Sequence, residues 1–385
     1  MTTGQKMEIG GQKLQQNKQW QGLKILGCWC LVILVLSPIY FRTKNYESYQ
    51  ETIGVVTQVS QGDSRDSEDE WQNRDREYQQ QVTFELKNGE FQGETLTLPN
   101  SYTYSGVNDQ RYQFKDKVFL DVKMEEGQLT GGINGVKRDE SLAFLACLFI
   151  LLLLIVGQKS GFFSLISLVV NGLFLSSLID LFIKSNSTKL LLFFILGIPL
   201  FVIVSLVLVS GFNQKTGGAI IATLLGTYLS FSVGWLVITL LNHRGLRYEE
   251  MGFITRSPVD IFLASLLVGC LGAVMDVAMT IASSLHELTL KKPDITSQEL
   301  IHSGKIIGKD LMGLMANVLL FSYISGALPL IIVLLKNRMS FNYTFSMVLS
   351  LEFGRALVGS LGIVLTIPLT IYTVVALLKF RRKPA

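Results

Sequence analysis

Asp276 is the residue of this 385-residue chain whose position most demands a chemical explanation. It is the one charge between the ends of the apolar stretch Asp260–Leu285, which is long enough to cross a hydrocarbon core of about 30 Å as a helix. A carboxylate at such depth costs about 2.5–3.5 kcal/mol on insertion scales, and intramembrane acids usually face a protein interior or a watery cavity. Steps of three and four residues lead from Asp276 to Thr280, to Ser283 or Ser284, and to Glu287. In the other direction they lead to Gly272, Gly269 and Ser265, so one helix face is polar or small from end to end. Such a face can carry a solute, an ion or a proton.

Two later apolar spans carry similar stripes. Asp310 and Asn317 are seven residues apart with Gly313 between them, and Glu352, Arg355, Gly359, Gly362 and Thr366 follow helical spacing. An Arg three residues after a Glu also makes a local ion pair without further function, worth about 0.2–0.5 kcal/mol in water. A fourth span has Gly218, Ala222, Gly226, Ser230 and Gly234 at four-residue intervals. That ridge reads as a helix-packing surface, because association in lipid depends on close approach of backbones.

The sequence argues against enzymatic chemistry. His286-Glu287 begins like a zinc-protease HExxH motif, but Leu290 stands where the second histidine belongs. No Ser/His/Asp arrangement and no phosphate-cradling glycine loop has recognised spacing, so no catalytic residue, metal or cofactor is expected. The acidic run Asp63, Asp66, Glu68, Asp69, Glu70 and Asp75 lacks the glycine and spacing of a calcium loop.

The elements that position these residues belong to a membrane protein. Hydrophobic residues make up 49% of the chain and charged residues 17%. The net charge of +4 gives no reason to expect nucleic acid, and the basic excess lies beside apolar spans, where anionic lipid accounts for it. The cysteines, Cys28, Cys30, Cys147 and Cys270, all fall in apolar stretches and form no disulfide framework.

The expected fold is a membrane α-helical bundle of about eight transmembrane helices, with an inserted small extracytoplasmic β domain of OB-like barrel or sandwich type. Residues 1–22 form a basic cytoplasmic segment and 23–41 an uncleaved anchor. Residues 42–140 form the β domain, 141–378 a seven-helix domain, and 379–385 a basic cytoplasmic tail. The seven spans are Leu142–Val156, Phe162–Ile183, Leu190–Ser210, Gly217–Leu241, Asp260–Leu285, Leu311–Leu335 and Arg355–Leu378. Eight crossings put both ends on one side, with Lys291, Lys292, Lys305 and Lys309, as the positive-inside rule requires of the cytoplasm. Arg244, Arg247 and Arg256 fall on the opposite side and count against this arrangement. In the β domain, strands are expected at Ile53–Ser60, Gln81–Lys87, Phe91–Leu98, Phe114–Met124 and Gln128–Val136, with a turn at Asn88-Gly89 and a solvated acidic loop over Gln61–Gln80.

The runs VMDVAMTIASSLHEL, SGKIIGKDLMGLMANVLLFSYISGALPL and EFGRALVGSLGIVLTIPLT resemble signature segments of the YibE/YibF-like family of bacterial multi-pass membrane proteins. The resemblance places Asp276, Gly308, Asp310, Gly313, Asn317, Glu352, Arg355, Gly359, Gly362 and Pro368 at family-motif positions. Lys309 stands where the family often has Arg, and Val318 where Thr is common. The resemblance implies a bacterial cell-membrane protein suspected of transport, without naming a substrate.

The functional expectation is therefore a permease or exporter of a small solute or ion. Its polar pathway would be lined by Asp276, Thr280, Ser283, Glu287, Asp310, Asn317, Glu352 and Arg355. The alternative is a non-transporting receptor or assembly protein that binds a partner through its outer β domain. Expected partners are the lipid bilayer, the solute, and either a second copy or a related membrane protein.

Overall fold

The computed structural model describes residues 37–38, 40–106, 109–185, 190–251 and 257–382. The basic N-terminal segment, most of the anchor, Cys28, Cys30, Arg256 and the last three residues lie outside the described residues. The chain divides into two units, residues 1–158 and 159–385, each with its own packing.

The first unit is built on a five-stranded antiparallel sheet in the order β3-β2-β1-β4-β5. Its strands are β1 (Thr52–Glu68), β2 (Arg74–Leu86), β3 (Thr95–Thr103), β4 (Lys117–Glu125) and β5 (Gln128–Val136). Alternation puts Val56, Val82, Phe84, Leu86, Leu96, Leu98, Val118 and Leu120 on one face, where they form a common core. The Asn88-Gly89 turn falls where expected. Gly89 has φ +89°, and the Asn88 carboxamide accepts from the Ile53 amide at 2.6 Å.

Two expectations are corrected here. The strand expected at Phe91–Leu98 starts at Thr95, because the chain is still turning: the Gly93 amide returns to the Leu86 carbonyl at 2.9 Å. The acidic segment Gln61–Gln80 is no loop. β1 and β2 continue through it as one long hairpin, with Asp66 opposite Arg76 and Glu68 opposite Arg74. These exposed cross-strand pairs close at 2.6 and 3.2 Å and add to the β1–β2 backbone ladder that carries the arm, which has no buried face. The Arg76 bond lowers the Asp66 carboxyl below its ordinary range.

After β5 the chain enters α1 (Asp139–Lys184), which is interrupted at Gln158 by a non-helical φ of 46° and ψ of −124°. The break separates the two apolar runs expected at Leu142–Val156 and Phe162–Ile183. Within the first unit, the start of α1 is tied to the sheet by a charge cluster. Lys137, whose side chain is fully inaccessible, reaches Asp139 at 2.8 Å, Glu140 at 3.2 Å and the Thr43 carbonyl, while Lys117 reaches Glu140 at 2.7 Å. The Tyr49 hydroxyl donates to Asp139.

The second unit is helical: α2 (Leu190–Ser210), α3 (Gln214–Leu240), α4 (Pro258–Lys291), α5 (Ser297–Lys336) and α6 (Phe341–Arg382) follow the remainder of α1. Pro258 begins α4, and Thr296 with Glu299 forms the capping box of α5. Among the described residues, six helices, α1 to α6, are long and apolar enough to cross a membrane. α6 packs against α3, α4 and α5, and α4 also meets α2 and α3.

Candidate functional site

α4 is the best-covered helix of its unit on every side but one. Phe262, Leu263, Ala264, Leu266, Leu267, Cys270, Leu271, Val274, Val277, Ala278, Ile281, Ala282 and Leu285 are buried, whereas Gly272, Asp276, Thr280 and Glu287 are exposed. With 100° of rotation per residue, the exposed positions fall on a single narrow arc, which also contains Ser265, Gly269 and Ser283. From Ser265 to Glu287 the open arc is thus the polar one, opposite to the pattern of a helix bathed in lipid, and the exposed Leu290 follows on the same arc in the last turn. On α3 the open positions are mostly apolar, among them Ile221, Leu225, Leu229, Trp235 and Leu236, and the exposed hydroxyls of Ser232 and Thr239 are bonded back to carbonyls of their own helix.

Near the middle of α4, Asp276 makes no hydrogen bond or ion pair to any described residue, and the same holds for Thr280, Ser283 and Glu287. Asp310, Gly313 and Asn317 on α5 are likewise exposed and unpartnered among the described residues. The residues expected to line the pathway therefore do not all meet: Gly272, Asp276, Thr280 and Glu287 of α4 and the whole α5 stripe open on the surface of the helical unit, whereas Glu352, Arg355, Gly359, Gly362 and Thr366 of α6 are covered. The reason is register. α5 packs on α6 through Gly304 and Gly308, where an added Cβ would come within 2.8 Å of Ile371 and 2.3 Å of Ile367, and this contact turns Asp310 and Asn317 outward.

The structure does bring one group together where α4, α5 and α6 meet. The Arg355 guanidinium pairs with Glu352 on its own helix, donates from Nε to Ser265 Oγ on α4 at 3.2 Å, and lies 5.3 Å from the Phe262 ring centroid. Both charged side chains are largely covered, at 16% and 21% accessible. Tyr323 of α5 joins them and rests its hydroxyl against Gly269 of α4. Ser265 thus links this cluster to the stripe that runs on through Gly272 and Asp276. Phe262 and Tyr323 are absent from the sequence-derived set, since a lone aromatic in an apolar helix carries no signal of its neighbours.

The small-residue ridge of α3 has a packing role. An added Cβ would fall 2.7 Å from Val374 at Gly218, 2.0 Å from Thr366 Oγ1 at Gly226, and 2.7 Å from Val358 at Gly234. Ala222 and Ser230 are fully buried on the same helix. The seam between α3 and α6 also encloses Thr223, Thr227, Thr366 and Thr370, and Thr373 donates to the Gly218 carbonyl at 3.3 Å. Among the described residues, no three or more of His, Cys, Asp and Glu are grouped to hold a metal ion.

The comparison with curated proteins finds no match, and neither does the comparison with solved structures. A family profile described as YibE/F-like protein matches residues 145–380, and one described as the YibE/F family N-terminal domain matches residues 47–136.

Proposed function

This chain belongs to the YibE/F-like family, and on that premise we propose that it is a permease or exporter of a small solute or ion. The α4 stripe from Ser265 to Glu287 would be its pathway. The observation that carries this reading is the inversion on α4, where the one open arc of a well-covered span is polar and bears an unpartnered carboxylate at mid-helix. Facing hydrocarbon, that arc is costly; facing water or a passing solute, Asp276, Thr280 and Ser283 supply acceptors and hydroxyls where they are needed.

In this proposal the break at Gln158 makes α1 two crossings, and the anchor at 23–41 brings the total to eight. The sheet belongs to the extracytoplasmic side of a bacterial cell membrane. Its order is that of an OB-like barrel opened between β3 and β5, which supports that fold for the domain.

Asp276→Asn keeps size and hydrogen bonding but removes titration and charge. Metabolite comparison of cells carrying the native chain, the variant or neither tests the proposal. The expected result is a solute difference produced by the native chain and lost in a variant that still folds. An Asp276→Asn profile identical to native excludes Asp276 from the pathway. The same unpartnered arc favours a second reading, a receptor or assembly protein whose stripe is covered by another membrane protein. Co-purification of a stoichiometric partner that leaves no solute difference supports that reading instead.

A further inference from the structure

The stripe on α4 is divided. Its Ser265 end is held in the Arg355, Glu352 and Phe262 cluster, and its Gly272 to Glu287 end is open. The divider is Tyr323. A Cβ built on Gly269 would lie 2.3 Å from the Tyr323 hydroxyl and 3.5 Å from the ring carbon bearing it. The phenol tip from α5 therefore occupies the space that a side chain at position 269 would fill, between the covered and the open halves of one helix face.

Two features make this contact a movable one. Tyr323 makes no hydrogen bond to any described residue, so no directional bond fixes its ring on Gly269. It lies within electrostatic reach of Arg355 and Glu352, which gives the hydroxyl polar partners to turn toward when it leaves the glycine. A change of rotamer at χ1 would carry the hydroxyl off Gly269, whereas χ2 only spins the ring about the axis on which the hydroxyl lies.

We propose that Tyr323 is the gate of the pathway, closing the stripe at Gly269 between the Arg355–Glu352 cluster and the open Asp276 segment. The proposal rests on the reading of the stripe as a water-filled path, and the test separates the two. In the full chain with its native cysteines replaced by alanine, Thr280→Cys and Ser265→Cys are introduced singly. Each is exposed to a membrane-impermeant thiol reagent on the side where Glu287 emerges. Thr280→Cys is expected to react readily. Ser265→Cys is expected to react slowly beside native Tyr323 and several-fold faster beside Tyr323→Ala.

Gly269→Ala, which pushes the tyrosine aside, should give the same increase, and serves if Tyr323→Ala does not fold. Tyr323→Phe, which keeps the ring, should retain the protection. Equal Ser265→Cys rates in the native, Tyr323→Ala and Gly269→Ala backgrounds, with Thr280→Cys still reactive, overturn the gate and leave the pathway standing. An unreactive Thr280→Cys overturns the pathway, and the gate with it.

Discussion

The seam between α3 and α6 and the stripe along α4 are both made of glycine and small polar residues, yet they meet opposite surroundings. In the seam, Gly218, Gly226 and Gly234 are pressed against Val374, Thr366 and Val358, and Thr223 and Thr227 are fully buried. On the stripe, nothing lies within 4 Å of a Cβ built at Gly272, and Asp276 and Thr280 are open. The first pattern is explained by packing inside the chain. The second is not, and an unpaired carboxylate at membrane depth needs water, a solute or a partner to offset its cost. A small-residue motif in a membrane helix therefore acquires meaning only when its neighbours are known.

The largest effect should come from breaking the seam. Gly226→Leu places its side chain into Thr366 and Val274, whereas nothing lies within 4 Å of a Cβ at the nearby Gly217. Overpacking of this kind costs about 1–3 kcal/mol or more. Gel filtration should recover little folded Gly226→Leu and near-native amounts of Gly217→Leu. Equal recovery would remove the packing explanation.

A smaller loss is expected where buried polarity is partnered. Lys137→Met strips Asp139 and Glu140 of a fully inaccessible ammonium, although Lys117 still holds Glu140. Breaking a buried pair costs about 3–5 kcal/mol, and the partial exposure of both acids reduces this to roughly 1–3 kcal/mol. Burial alone would lower the Lys137 value, but its bonds to Asp139 and Glu140 outweigh burial and hold it above the ordinary 10.5. A raised folded value means that this contribution is complete below about pH 10.5 and is lost as pH rises through the folded value. The difference in melting temperature between native chain and Lys137→Met should accordingly shrink in strong alkali. A constant difference would place the contribution elsewhere.

The smallest effect on folding belongs to the stripe. Asp276→Leu removes an unpartnered carboxylate from an open position, so thermal unfolding should show unchanged or slightly raised stability. A clear loss would mean that Asp276 holds the bundle together, as the seam residues do.

Much of this was legible in the sequence. Long apolar runs located the spans, and β5 begins and ends where alternation placed it. The four-residue ridge on α3 and the polar arc on α4 follow from residue spacing alone, since helix geometry decides which residues share a face. What faces that arc is not written in its own spacing. Tyr323 meets Gly269 because α5 and α6 settle in one register through Gly304, Gly308 and Ile367, a property of several helices together. The long hairpin arm did carry a signal. Glu68 with Arg74 and Asp66 with Arg76 mirror one another about Trp71, a pattern that cross-strand pairing produces and a loop does not need.

The central claim is that the polar arc of α4 meets water where the open faces of its neighbours meet lipid. Thiol labelling by depth measures this most directly. Single cysteines at Gly272, Thr280, Leu225 and Leu229, in the full chain lacking its native cysteines, are exposed in native membranes to a small charged thiol reagent. The account predicts reaction at Gly272→Cys and Thr280→Cys and none at Leu225→Cys or Leu229→Cys. Protection of all four positions would place the stripe in lipid or under a partner, and would contradict the pathway.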